Sequence, residues 1–148
     1  MIEVKGDIWK FWERGFFIVI PTNGYVKMNG EAVMGRGLAF DASIKFKSLA
    51  FELGALLKKY GNDVFIHPTY RIFTFPVKHN WDEKADIELI KFSCVGLQSL
   101  VNLRVKPISL PVYIPRVGCG NGMLEWKDVK PILESYLDER FVVVSMER

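Results

Sequence analysis

Apolar and polar positions follow two different periods along this chain, and the changes of period mark its elements. Ile2 to Val4 alternates like a short strand, and Gly6-Asp7-Ile8 follows before Trp9, Phe11 and Trp12. Phe16 to Ile20 is a continuous apolar run of strand length, the pattern of a strand buried on both faces, and it stops at Pro21-Thr22-Asn23-Gly24, a turn signal. From Ala42 the apolar residues fall at Phe46, Leu49, Ala50, Leu53 and Leu57, which is helical spacing, with Gly61 as a C-terminal stop. One long helix is expected there, beginning just beyond Gly37. Val64 to Ile66 and Arg71 to Phe75 read as two strands of a hairpin across Pro68-Thr69, and Pro76 to Trp81 reads as a loop.

The second half repeats the alternation. Asp82 is positioned to cap a helix that buries Leu89, Ile90, Cys94, Leu97, Leu100 and Val101 and turns Lys84, Glu88, Lys91 and Gln98 to water. Ile108 to Ile114 is an apolar strand. Val129, Ile132, Leu133, Tyr136 and Leu137 then match the i, i+3, i+4, i+7, i+8 pattern; with Asp128 as the cap, Pro131 would fall in the first turn, where its missing N–H costs little. Phe141 to Val144 is the last buried strand. About six strands alternating with at least three helices predict an α/β sandwich, and the hairpin makes its sheet mixed.

Composition narrows the picture without changing it. A chain of 148 residues with 49% apolar and 14% aromatic residues is expected to form one domain with a dense core, not a disordered chain. The excess of 20 basic over 17 acidic residues gives a net charge of +3, too small and too interspersed to imply nucleic acid by itself. Cys94 and Cys119 lie far apart with no Cys or His at metal spacing, so neither a disulfide framework nor a metal site is expected. The charged start, Met-Ile-Glu-Val-Lys-Gly-Asp, has no apolar segment of the secretory kind, and no apolar run approaches membrane-spanning length. The expectation is a cytoplasmic protein with reduced thiols, away from membranes.

The chemistry concentrates in two glycine turns. Pro111 to Trp126 carries an apolar strand into Gly118, Gly120 and Gly122, and Met34-Gly35-Arg36-Gly37 precedes the first long helix. Glycines at alternate positions leave backbone N–H groups uncovered, so they can converge on an anion, and a helix start beside them adds its own free N–H groups. Both turns, the Thr22-Asn23 turn and the segment holding Lys78 follow predicted strands. Ligands in such sheets sit beyond the carboxyl ends of the strands, so all four are expected to line one crevice. A Rossmann dinucleotide site is disfavoured, because no Gly-x-Gly-x-x-Gly follows the first strand.

The ordered set Gly6-Asp7-Ile8, Met34-Gly35-Arg36-Gly37-Leu38-Ala39, Phe75-Pro76-Val77-Lys78-His79 and Pro115-Arg116-Val117-Gly118-Cys119-Gly120, followed by Leu124-Glu125-Trp126, resembles the macrodomain family over nearly the whole chain. The similar branch contains the terminal ADP-ribose glycohydrolases, the DNA-directed antitoxin macrodomains and the phage- and yeast-type ADP-ribose-1″-phosphate phosphatases. The resemblance implies a three-layer α/β/α fold on a mixed, mostly parallel sheet of about six strands. It implies ADP-ribose or a derivative as ligand, ADP-ribosylated protein or DNA as partner, a monomer, and no cofactor or metal. On the same basis Asp7 and the Ile8 backbone would read adenine, although Asp7 also suits a helix cap. Gly35, Arg36 and Gly37, with Gly118, Cys119, Gly120, Asn121 and Gly122, would enclose the diphosphate and distal ribose, and Asn23 would hydrogen-bond that ribose.

For catalysis the resemblance points to Lys78, near the anomeric carbon C1″, either as a nucleophile with a lowered pKa or as a charge that stabilises bond breaking. The glycohydrolases carry an Asp two residues after the Gly-Cys-Gly turn, and here that position is Gly122. Either Lys78 would act with a different partner, such as His79, or the reaction would differ, as in removal of phosphate from C1″ with His79 or Asn23 positioning a water. A non-catalytic ADP-ribose reader is the alternative. Cys119 is read as a binding residue and not a nucleophile, Arg116 and His67 as packed or edge residues, and Cys94 as helix interior.

Overall fold

In a computed structural model that describes residues 1–103 and 108–146, six strands form one sheet in the order β1-β6-β5-β2-β4-β3. The strands are β1 (Ile2–Lys5), β2 (Ile18–Asn23), β3 (Phe65–His67), β4 (Ile72–Lys78), β5 (Val112–Pro115) and β6 (Phe141–Ser145). The helices are α1 (Ile8–Glu13), α2 (Gly37–Lys45), α3 (Leu49–Tyr60), α4 (Ile87–Asn102) and α5 (Trp126–Tyr136). Every pairing is parallel except the β3–β4 hairpin at one edge. The mixed, mostly parallel sheet expected from the sequence is therefore present.

Side-chain alternation divides the interior in two. Phe17, Val19, Phe73, Phe75, Val112, Ile114, Phe141 and Val143 pack with α4 and α5 on one face. Ile18, Ile20, Ile72, Tyr113, Val142 and Val144 pack with α1, α2 and α3 on the other. Residues one apart serve opposite cores, which is why the strands read as unbroken apolar runs. The result is three layers, helices on both faces of the sheet.

Several elements differ from their sequence expectation, each for a local reason. The single helix from Ala42 to Leu57 is two helices, broken at Phe46, whose backbone is extended (φ −124°, ψ 91°). The break turns the Phe46 ring onto Tyr70, with centroids 4.6 Å apart, and against Trp12 at 5.4 Å. Asp86, not Asp82, caps α4, its Oδ1 accepting from the Glu88 N–H at 2.9 Å, so Lys84 belongs to the preceding loop. α5 starts at Trp126, because Asp128 and Val129 donate back to the Glu125 carbonyl, and Pro131 is interior to the helix instead of in its first turn. The carbonyl that Pro131 leaves without a donor belongs to exposed Lys127, where water can satisfy it. β5 begins at Val112 and not at Ile108.

Two differences bear on the site. α1 is a one-and-a-half-turn helix, too short for periodicity to announce. β4 runs on through Pro76 and Val77 to Lys78, the stretch expected to be a loop. β2 pairs with β4 up to Thr22 opposite Pro76 and, after a register shift, Asn23 opposite Lys78. The Ser93 hydroxyl donates to the Pro76 carbonyl at 2.7 Å, holding this strand end to α4. Lys78 thus projects from a framed strand terminus.

Candidate functional site

The carboxyl ends of β2, β4, β5 and β6 lie on one edge of the sheet, and a cleft of about 750 Å³ opens over them. β2 is flanked by β4 on one side and β5 on the other, so the chain changes direction here, the switch point at which doubly wound sheets bind ligands. The cleft is lined from Ser145 and Met146 at the end of β6, through Pro115, Arg116 and the Gly118–Gly122 turn, to Thr22, Asn23, Lys78 and Trp81, with Met34 to Ala39 opposite. Its charged lining residues are Arg36, Lys78 and Arg116, and none of the described lining residues is a carboxylate. That distribution suits an anion.

The two glycine turns form the facing walls. A Cβ built on Gly37 would come 3.0 Å from the Asn121 Nδ2, so the turns meet across the cleft. Gly37 opens α2 with φ +58°, and among the described residues no side chain caps that helix. The first N–H groups of α2 are therefore left to a ligand or solvent. Gly118 has φ +78°, with Ile90 and Leu124 pressed against the place a side chain would take. Gly122 has a different reason to be bare. Its carbonyl accepts from the Ala85 N–H at 2.9 Å, and a Cβ there would lie 2.9 Å from the Ala85 Cβ. The loop leading into α4 thus fills the space that an Asp side chain would occupy.

Lys78 sits at the β4 end of the cleft, its Nζ donating to the Trp81 carbonyl at 3.4 Å. Desolvation lowers its pKa below the ordinary lysine value, the nearby Arg36 charge lowers it further, and Asp82 partly opposes both. Asn23, next to it across the β2–β4 pairing, spends its amide on its own loop: Nδ2 donates to the Val33 carbonyl and Oδ1 accepts from the Tyr25 N–H, both at 3.0 Å. Its second amide hydrogen remains for a ligand.

His79 points elsewhere. Successive residues at a strand end face opposite ways, and the His79 Nε2 lies 2.8 Å from Asp86 Oδ2, outside the cleft lining. The His79 hydrogen bond is the main reason the Asp86 carboxyl titrates below its usual range. The geometry makes this pair an anchor for the α4 cap and gives Lys78 no imidazole partner.

Asp7 and Ile8 are also outside the lining. Asp7 caps α1, its Oδ1 accepting from the Trp9 N–H at 3.0 Å, while the Ile8 side chain is fully buried. The Gly6 N–H donates to the Ser145 carbonyl at 3.0 Å, which brings this turn to the β6 end of the cleft. Burial raises the Cys119 thiol pKa and Arg116 only partly offsets it, so the thiol stays protonated. Arg116 lines the cleft while its Nε donates to Glu3 at 2.8 Å and its guanidinium lies 5.1 Å from the Trp126 ring centroid. His67 is buried between Glu52 and Thr74, away from the site. Trp81, Ser145 and Met146 also line the cleft; in the sequence only proximity to Lys78 marks the first, and nothing marks the others. Among the described residues no group of three His, Cys, Asp or Glu is placed to hold a metal ion.

This architecture, a mixed six-stranded sheet between helices with paired glycine turns over its strand ends, is the macrodomain fold. The macrodomain of Thermus aquaticus DarG is similar over 99% of this chain and 97% of its own, with a TM-score of 0.72 and 24% identity. Thermosipho africanus DarTG, solved in complex with ADP-ribose, is similar over 99% of this chain and 42% of its own, with a TM-score of 0.78 and 21% identity. At the sequence level the chain is 31% identical over 140 residues to a DNA ADP-ribosyl glycohydrolase of Thermus aquaticus, covering 84% of this chain but 37% of that protein. The chain thus spans little more than a third of the length of that relative. No protein-family model matches it.

Proposed function

We propose that this protein binds ADP-ribose in the cleft and releases it from ADP-ribosylated DNA by hydrolysis at C1″ of the distal ribose. The carrying observation is the cleft itself: two bare glycine turns in contact range at Gly37 and Asn121, and three basic residues with no carboxylate among the described lining residues, one of them Lys78 with its pKa lowered. From β6 to β4 is three strand spacings, about 14 Å, so the cleft runs lengthwise across the strand ends. The adenine end would lie by Ser145 and the Asp7 turn, the diphosphate against the first N–H groups of α2 and the Gly118–Gly122 turn, and the distal ribose by Asn23 and Lys78. The similarity to a DNA ADP-ribosyl glycohydrolase favours DNA as the attached group.

In the reaction the bond from C1″ to the attached atom breaks, water supplies a hydroxyl to C1″, and the proton goes to the leaving atom. Uncharged, Lys78 can attack C1″ directly and be displaced by water; protonated, it can stabilise the leaving group. Lowering its pKa raises the uncharged fraction near neutrality and favours the first route. A second reading, a reader that holds ADP-ribose without turnover, is favoured by the space closed at Gly122 and by His79 being bound to Asp86. We take the protein to work in the cytoplasm as a monomer, with Cys94 and Cys119 as free thiols.

The test is incubation with ADP-ribosylated DNA, ADP-ribosylated protein and ADP-ribose-1″-phosphate, for the unaltered protein and Lys78→Ala. Release of ADP-ribose from the DNA alone, lost in the variant, is expected. Phosphate release from the third substrate instead would make it a phosphatase, and ADP-ribose binding without release from any substrate would leave the reader.

A further inference from the structure

The cleft has an aromatic side chain at its mouth that folding does not use. Of the four tryptophans, Trp9 is buried, and Trp12 and Trp126 pack against the two cores. Trp81 belongs to neither core cluster and is 47% exposed, although it lines the cleft. Among the described residues it also has no aromatic or cationic side chain stacked on it, whereas Trp9, Trp12 and Trp126 all do. An indole left half in water at a site mouth gives up burial that a core position would provide.

Two backbone contacts locate its turn. The Trp81 carbonyl accepts from the Lys78 Nζ at 3.4 Å, and the same turn is closed by the Glu83 N–H donating to the Asn80 carbonyl at 3.3 Å. Trp81 therefore lines the cleft at its Lys78 end and not at its Ser145 end. With C1″ at Lys78, whatever is attached to C1″ leaves the cleft at this ring.

We propose that Trp81 is a stacking platform for the nucleobase attached to C1″. This rests on the reading above, in which the Lys78 end holds the distal ribose. Stacking on an indole face accepts any base, because every base has a π face, so Trp81 would select nucleic acid over protein as the attached group without selecting strongly among bases. The neighbouring Asp82 and Glu83 are exposed and acidic, so the platform holds the base by its face and does not rely on charge to hold the strand.

Binding can be measured without turnover in a Lys78→Gln background, which removes the amine and keeps a side-chain donor. The probes are a single-stranded oligonucleotide carrying one ADP-ribosylated base, an ADP-ribosylated peptide and free ADP-ribose. Adding Trp81→Ala or Trp81→Leu should raise the oligonucleotide Kd roughly 5- to 150-fold, the range that the loss of one stacked base implies. Free ADP-ribose and the peptide should shift less than about twofold, which also shows that the fold is intact, and Trp81→Phe should retain most of the oligonucleotide affinity. An unchanged oligonucleotide Kd, or an equal loss for all three probes, overturns the platform. Turnover of the same oligonucleotide by the unaltered protein is read separately: binding through Trp81 without release overturns the hydrolase and supports the platform.

Discussion

Replacing Gly122 by alanine tests whether the Ala85 loop, and not chance, keeps this position without a side chain. The new Cβ would sit 2.9 Å from the Ala85 Cβ, where carbon atoms normally rest about 3.5–4.0 Å apart. Both neighbours are held by the Ala85 N–H to Gly122 carbonyl hydrogen bond of 2.9 Å, so neither moves freely. Overpacking of this kind costs about 1–3 kcal/mol, and the reduced freedom of the unfolded chain returns about 0.4–1 kcal/mol. The expected net loss is about 1–2 kcal/mol, or a fall in Tm of roughly 3–6 °C for a chain of this size.

Ala85→Gly removes the clashing methyl and by itself costs about 1.5 kcal/mol through lost burial and added backbone freedom. In the double variant the clash is absent and the glycine and alanine have exchanged places, so stability should return to within about 1 kcal/mol of the unaltered protein. The assay is thermal or urea unfolding of all four proteins. Additive losses in the double variant, or an unaffected Gly122→Ala, would refute the steric account. By the same reasoning Gly122→Asp should not gain activity, because its carboxylate must displace the loop that leads into α4, and its ADP-ribose affinity should fall.

Three further outcomes follow from other parts of the molecule. Arg36 lowers the Lys78 pKa, so Arg36→Ala should raise it, and the alkaline-rising limb of the rate of ADP-ribose release should move to higher pH; a limb that stays in place would exclude the uncharged amine. A Cβ on Gly54, in the middle of α3, would lie 1.9 Å from the Gly30 carbonyl oxygen, so Gly54→Ala must push the Tyr25–Val33 loop off the helix at a cost of about 3 kcal/mol or more, seen as a large drop in Tm. Burial holds the His67 pKa below 6.5 despite its Glu52 partner, so the unfolded chain takes up a proton there before the folded one does. Stability should be full above 6.5 and fall as the pH drops through the folded pKa, and His67→Gln should flatten that part of the stability–pH curve.

Most of the frame is legible in the pattern of residues. Strands buried on both faces must be apolar at every position, so Phe16–Ile20 and Phe141–Val144 announced themselves, and so did the α4 stripe from Leu89 to Val101. The two glycine turns were legible because a bare backbone needs glycine, and their place after strands indicated one crevice. Boundaries were less legible. Tertiary packing broke the helix at Phe46 and carried β4 on to Lys78, through a proline that local preference assigns to a loop.

The chemistry of the site is not legible there, because side-chain direction and free volume are set by neighbours distant in sequence. His79 adjoins Lys78 in the chain but pairs with Asp86, and Ala85 closes the space at Gly122 from 37 residues away. A net charge of +3 gives no hint of a cleft that gathers Arg36, Lys78 and Arg116 and contains no described carboxylate. Trp81 is one aromatic among many in the sequence. What distinguishes it is that the fold buries or packs the other three tryptophans and leaves this one at the cleft mouth.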